Sequence, residues 1–219
     1  MMSDDAVDVM LSANEARVLG CLMEKQSTTP EYYPLTLKAL TAACNQKSSR
    51  VPVMSLSEAQ VGGVVNGLRT QGLVTARMDG RVDRFEHHLS RKLGITSKER
   101  AIICVLMLRS LLTLNEIRIN TSRMVEFESN DEIQAVLDGL IERDEPLVIR
   151  IPRGPGQRED RFAQLLCGEP DTEIPQRAAS PSPSAGNAGS DRITQLENKV
   201  TELKAELQRL YDLTGFSKD

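Results

Sequence analysis

Apolar positions along the chain fall at helical spacing three times in succession, give way to two short alternating runs, and then the whole series begins again. Ser12-Ala13-Asn14-Glu15 opens a run containing Val18, Leu19, Leu22 and Met23, and Thr96-Ser97-Lys98-Glu99 opens one containing Ile102, Ile103, Leu106 and Met107. Both openings predict capping boxes, in which the hydroxyl accepts from a first-turn amide while the glutamate reaches back to the cap amide. Leu35-Thr36-Leu37-Lys38-Ala39-Leu40 is matched by Leu112-Thr113-Leu114-Asn115-Glu116-Ile117, where Thr113 and Glu116 predict a third box. A third helix follows in each series, with Val61, Val64, Val65 and Leu68 on one stripe and Ile133, Val136, Leu137 and Leu140 on the other.

After each third helix the period shortens to that of strands. Leu73 to Ala76 and Val82 to His88 flank the turn Met78-Asp79-Gly80-Arg81; Leu147 to Ile151 and Arg161 to Leu166 flank the longer turn Pro152 to Gln157. Three helices followed by a β-hairpin is the order of a winged helix-turn-helix. The predicted protein is therefore mainly α with small β-hairpins, an α+β chain of two tandem winged helix-turn-helix domains at 11–90 and 91–168. Residues 1–10 are expected to be disordered. Gly168 to Ser190 contains Pro170, Pro175, Pro181 and Pro183 among Ser, Ala and Gly, which predicts a flexible linker over 169–190. Beyond it Ile193, Leu196, Val200, Leu203, Leu207 and Leu210 alternate three and four residues apart, the seam of a short coiled coil over 191–214. A helix so short is marginal alone, so this stripe predicts a homo-oligomer, most simply a parallel dimer.

The run Leu19-Gly20-Cys21-Leu22-Met23-Glu24-Lys25, then Thr28-Thr29-Pro30-Glu31-Tyr32-Tyr33-Pro34-Leu35, then Ala43-Cys44-Asn45-Gln46-Lys47-Ser48-Ser49-Arg50 closely resembles the YceH-like family of bacterial proteins. Glu126-Phe127 and Arg153 to Glu159 resemble motifs of the family's second half, so the likeness spans essentially the whole chain. It implies a tandem winged-helix fold and brings with it no substrate, cofactor or active site. Two departures stand out. Val51 stands where the family usually has an acidic residue before the proline, and Ser110-Leu111-Leu112 replaces a glycine-containing turn.

Charge and chemistry narrow the function. The net charge is -4, with 9 basic and 10 acidic residues over 1–90 and 12 of each over 91–168, so neither half is a polycation of the kind that binds nucleic acid strongly. Inward Val61, Val65 and Leu68 leave a small neutral outer face of Ala59, Gly63, Asn66 and Thr70 on the third helix, flanked by Gln60 and Arg69. Asn66 and Gln60 carry amides suited to an adenine edge. With Lys47, Arg50, Arg81 and Arg84 they make the candidate nucleic-acid surface, to which the second hairpin adds Arg153 and Arg158. The corresponding face of the second half carries Asp131, Asp138 and Glu142, which oppose phosphate. Four dispersed cysteines without zinc spacing and no phosphate loop or nucleophile-base arrangement predict a non-enzyme without cofactor or metal. With neither a basic leader nor an apolar run near 18 residues, the chain is expected to be cytoplasmic and off the membrane. The leading expectation is weak duplex-DNA binding in a regulatory or architectural role; the alternative is a scaffold that binds another protein.

Overall fold

A computed structural model describes residues 9–80 and 82–170. Of the stretch 1–10 expected to be disordered, residues 1–8 lie outside the described residues, as do all but the first two residues of the expected linker 169–190, the heptad residues Ile193, Leu196, Val200, Leu203, Leu207 and Leu210, and Arg81; Val9 is described and packs against the core. Within them the chain is mixed α/β, with seven α-helices and two small antiparallel sheets.

The first half runs α1 (Ala13–Thr28), a single 3-10 turn (Pro30–Tyr32), β1 (Leu35–Thr36), α2 (Leu37–Cys44), α3 (Glu58–Thr70), β2 (Val74–Asp79) and β3 (Val82–His87). A short connecting helix, α4 (Leu89–Lys92), leads into α5 (Ser97–Arg109), α6 (Leu114–Thr121), α7 (Asn130–Ile141), β4 (Val148–Ile151) and β5 (Arg161–Gln164). The three capping boxes close as expected at Ser12/Glu15, Thr96/Glu99 and Thr113/Glu116. A fourth forms at Ser57/Gln60, opening α3. Each satisfies amides that a helix start otherwise leaves orphaned.

The duplication extends to a pairing that the apolar pattern does not reveal. Leu35 of β1 pairs with Phe85 of β3, making a three-stranded sheet of order β1-β3-β2. In the second half the same place is held by a single bridge, Leu112 with Phe162, closed by Leu112 N–H to the Phe162 carbonyl (3.1 Å) and Phe162 N–H to the Leu112 carbonyl (2.8 Å).

The halves share one hydrophobic core. Its axis is the contact between the two first helices: α1 is buried without interruption from Ala16 to Met23 and α5 from Ala101 to Leu108. A helix buried on all sides is a core element and no longer an amphipathic surface one. Gly20 makes the approach possible, since a Cβ there would lie 2.9 Å from Leu108 Cδ2, and the Cys104 thiol donates to the Gly20 carbonyl at 3.3 Å. The body is closed at its far end as well, where Leu11 N–H donates to the Leu166 carbonyl at 2.7 Å and Val9 packs against the core.

Candidate functional site

The stretch between α2 and α3 is pinned to α1 by two buried arginines. Arg17 donates to the carbonyls of Cys44 (3.1 Å) and Pro52 (2.7 Å). Arg50 donates to the Ala43 carbonyl (3.1 Å) and holds Glu24 through two bonds of 3.1 and 2.6 Å. Burial alone would raise the Glu24 carboxyl, but the Arg50 guanidinium outweighs it and holds the group below the usual carboxylate range. Asn45 closes the stretch, its side chain bonded both ways to the Leu56 backbone at 2.7 and 2.8 Å. Arg50, expected at a DNA-facing surface, is only 3% exposed. Against that expectation it is a structural residue, because four of its five donors are bonded within the fold and its side chain has no exposed surface to offer a phosphate.

With its ends fixed, the stretch presents Gln46, Lys47, Ser48 and Ser49 to a cavity of about 500 Å³. The first half adds Glu24, Lys25, Thr28 and Thr29, and the second adds Arg109, Asn120, Arg123 and Met124. Lys25 lies 3.7 Å from Glu24. Lys47, Arg109 and Arg123 have no ion pair or side-chain hydrogen bond among the described residues. Burial lowers the pKa of Arg109, and nearby Glu24 offsets only part of that.

The other sequence candidates divide by surroundings. The outer face of α3 stands as expected: Ala59, Gly63, Asn66, Arg69 and Thr70 are exposed, and nothing lies within 4 Å of a Cβ built at Gly63 or Gly67. Gln60 is exposed but its amide oxygen accepts from Ser57 N–H at 2.8 Å, so it serves first as a helix cap. Arg84 bonds Asp79 of its own hairpin at 2.8 Å and the Pro34 carbonyl ahead of β1 at 3.1 Å, which spends much of its charge within the fold. Arg77 pairs with Glu86 and Arg150 with Asp160 in the same way. Arg153 bonds the Arg158 carbonyl at 3.3 Å, while the Arg158 side chain is exposed. Arg109 and Arg123, which sequence spacing did not single out, reach the cavity only because the halves fold together.

His87 ends a strand, as the sequence suggests, but faces inward: 6% exposed, with Nε2 donating to Gln26 Oε1 at 3.0 Å and the Tyr33 ring edge-on at 6.5 Å between centroids. Burial, reinforced by Arg100 and His88, pushes its pKa down to about 4. It is a neutral imidazole of the core at ordinary pH.

Residues 11–157 match the family model described as a protein of unknown function, DUF480. The chain belongs to this family. It is similar to UPF0502 proteins of Pelobacter propionicus (45% identical, covering 93% of this chain and 94% of the relative) and Geobacter sulfurreducens (46%, covering 90% and 91%). A third, from Photobacterium profundum, is 41% identical over 94% of this chain and 97% of its own. The DUF480 match takes in α1 to α7 and both sides of the cavity, and stops short of β5. No helix among the described residues is long and apolar enough to cross a membrane.

Proposed function

We propose that the two halves are tandem winged helix-turn-helix units and that the protein is a non-enzymatic, cytoplasmic DNA-binding factor that contacts duplex DNA weakly, through the first half above all. The observation that carries this reading is the outer face of α3, which is small, neutral, unobstructed and flanked by Arg69. A third helix of this kind is the element that enters a major groove, with Asn66 placed to meet a base edge. Lys47 and Arg69, and Arg158 of the second hairpin, supply phosphate contacts. The equivalent face of α7 carries Asp131 and Asp138, with Glu142 at its C-cap, all of which oppose a phosphate backbone, so the second half serves orientation and assembly. The heptad pattern at 191–214 supports a homodimer, for which deletion of 191–219 lowers the oligomeric state measured by light scattering from dimer to monomer.

Fluorescence anisotropy with a labelled random-sequence duplex at several salt concentrations tests the DNA reading. Binding is expected at roughly micromolar strength and to weaken with salt, and Lys47→Ala and Arg69→Ala each reduce the salt slope by about one. No binding at low salt rejects it.

The second reading is a protein scaffold, favoured by Met78 (81% exposed) and Val82 at the tip of the first hairpin. Met78→Ser then abolishes capture of a protein partner and leaves duplex binding unchanged.

A further inference from the structure

The cavity between the halves is distinct from the outer face of α3, and four cations line it: Lys25 in the last turn of α1, Lys47 after α2, Arg109 as the last residue of α5 and Arg123 just beyond α6. Cations at helix C-termini are favourable in themselves, because each terminus carries about half a negative charge. Four such ends meet here, so the dipoles offset about two of the four positive charges. Glu24, which also lies 3.7 Å from Lys25, is matched by the positive charge of Arg50 that holds both of its oxygens, so this pair leaves the balance of the rest unchanged. An excess of about two positive charges is left around one polar space. Half-buried Arg109 has given up part of its hydration without acquiring a carboxylate within 4 Å among the described residues. An anion in the cavity supplies that missing partner.

We propose that this cavity binds a small, multiply charged phosphate-bearing molecule. The volume of about 500 Å³ suits a ligand with more than one phosphate, within the usual range of about 300–1,000 Å³ for small-molecule sites. Arg109 and Arg123 offer planar forks matched to phosphate oxygens. Lys47 adds a mobile point charge, and Gln46, Ser48, Ser49 and Asn120 add neutral donors. Because Lys25, Thr28 and Gln46 to Ser49 come from the first half and Arg109, Asn120 and Arg123 from the second, an occupied cavity ties the halves together. This site does not depend on the DNA reading.

Isothermal calorimetry of the full chain with inorganic pyrophosphate as probe, at low salt, tests the proposal. Saturable binding is expected, weakened about tenfold or more by Arg109→Gln and by Arg123→Gln and left unchanged by Arg91→Gln, an equal charge change at an exposed residue of α4. Arg123 is exposed and buries nothing, so its variant carries the test even if Arg109→Gln lowers the unfolding temperature. Absence of saturable binding, or an equal loss in Arg91→Gln, overturns the site. Duplex DNA that displaces pyrophosphate and loses affinity in parallel with both cavity variants overturns the small-molecule assignment and makes the cavity a contact for the DNA backbone.

Discussion

Two charged residues show how burial changes the meaning of a side chain. Arg50 reads in sequence as one more cation near α3, yet four of its five donors are bonded to Glu24, to the Ala43 carbonyl of α2 and to the Ser49 carbonyl beside it. Removing one member of a buried pair strands the other in a medium that solvates it poorly. Arg50→Ala is therefore expected to cost about 3–5 kcal/mol in urea unfolding. His87 gives a pH dependence of definite sign. Its folded pKa of about 4 lies below the ordinary 6.5, so the unfolded chain takes up a proton first. The stability contributed by neutral His87 is fully present above pH 6.5 and is lost as pH falls through about 4. The whole effect is on the order of 3 kcal/mol. Unfolding temperatures measured from pH 7 to pH 4 should fall less steeply in His87→Gln than in the parent chain. Neither outcome was legible beforehand, because composition and spacing register that a charge or an imidazole is present, whereas burial and partner belong to the tertiary structure.

At the scale of elements the sequence is far more explicit. Capping boxes are local chemistry, complete within four residues, and the three read in advance form where expected. The fourth, at Ser57/Gln60, is equally local, but an amide at Gln60 suits a base edge as well as a cap, and the sequence alone does not choose between them. The strand β1 was missed for the opposite reason: two residues hold no period, and only the long-range partner Phe85 makes them a strand. The departure at Ser110 marks the end of α5, where this residue adopts φ 69° and ψ −121°. That conformation suits glycine and strains a side chain bearing a Cβ, at a cost of order 1–3 kcal/mol. Ser110→Gly is expected to stabilise the protein by about 1 kcal/mol, seen as a higher midpoint in urea at unchanged slope; no shift would mean that the strain is relieved locally.

For the molecule as a whole, the duplication was readable but its consequence was not. A repeated pattern of helices and hairpins says nothing about whether the copies stay apart. The answer lies in α1 and α5, whose apolar residues continue around the helix instead of keeping to one stripe. Gly20→Val places methyl groups where Leu108 and Met107 already stand, and overpacking of this kind costs about 1–3 kcal/mol. Because the contact belongs to both halves, calorimetry should show one transition moved to lower temperature. A split into two transitions would mean that the halves fold independently. The same joining brings Lys47 beside Arg109 and Arg123, the part of the candidate site least visible in the sequence.

The hydrogen bond from Leu11 to Leu166 gives the body a further property. Among the described residues the first and last segments meet at one place, so the two halves are joined at this seam as well as through α4. The order in which they are encoded is then incidental to the architecture. A gene that begins at α5, runs through the second half, and crosses a few added residues into α1 should encode the same body, opened at the short α4 connection instead of at its natural seam.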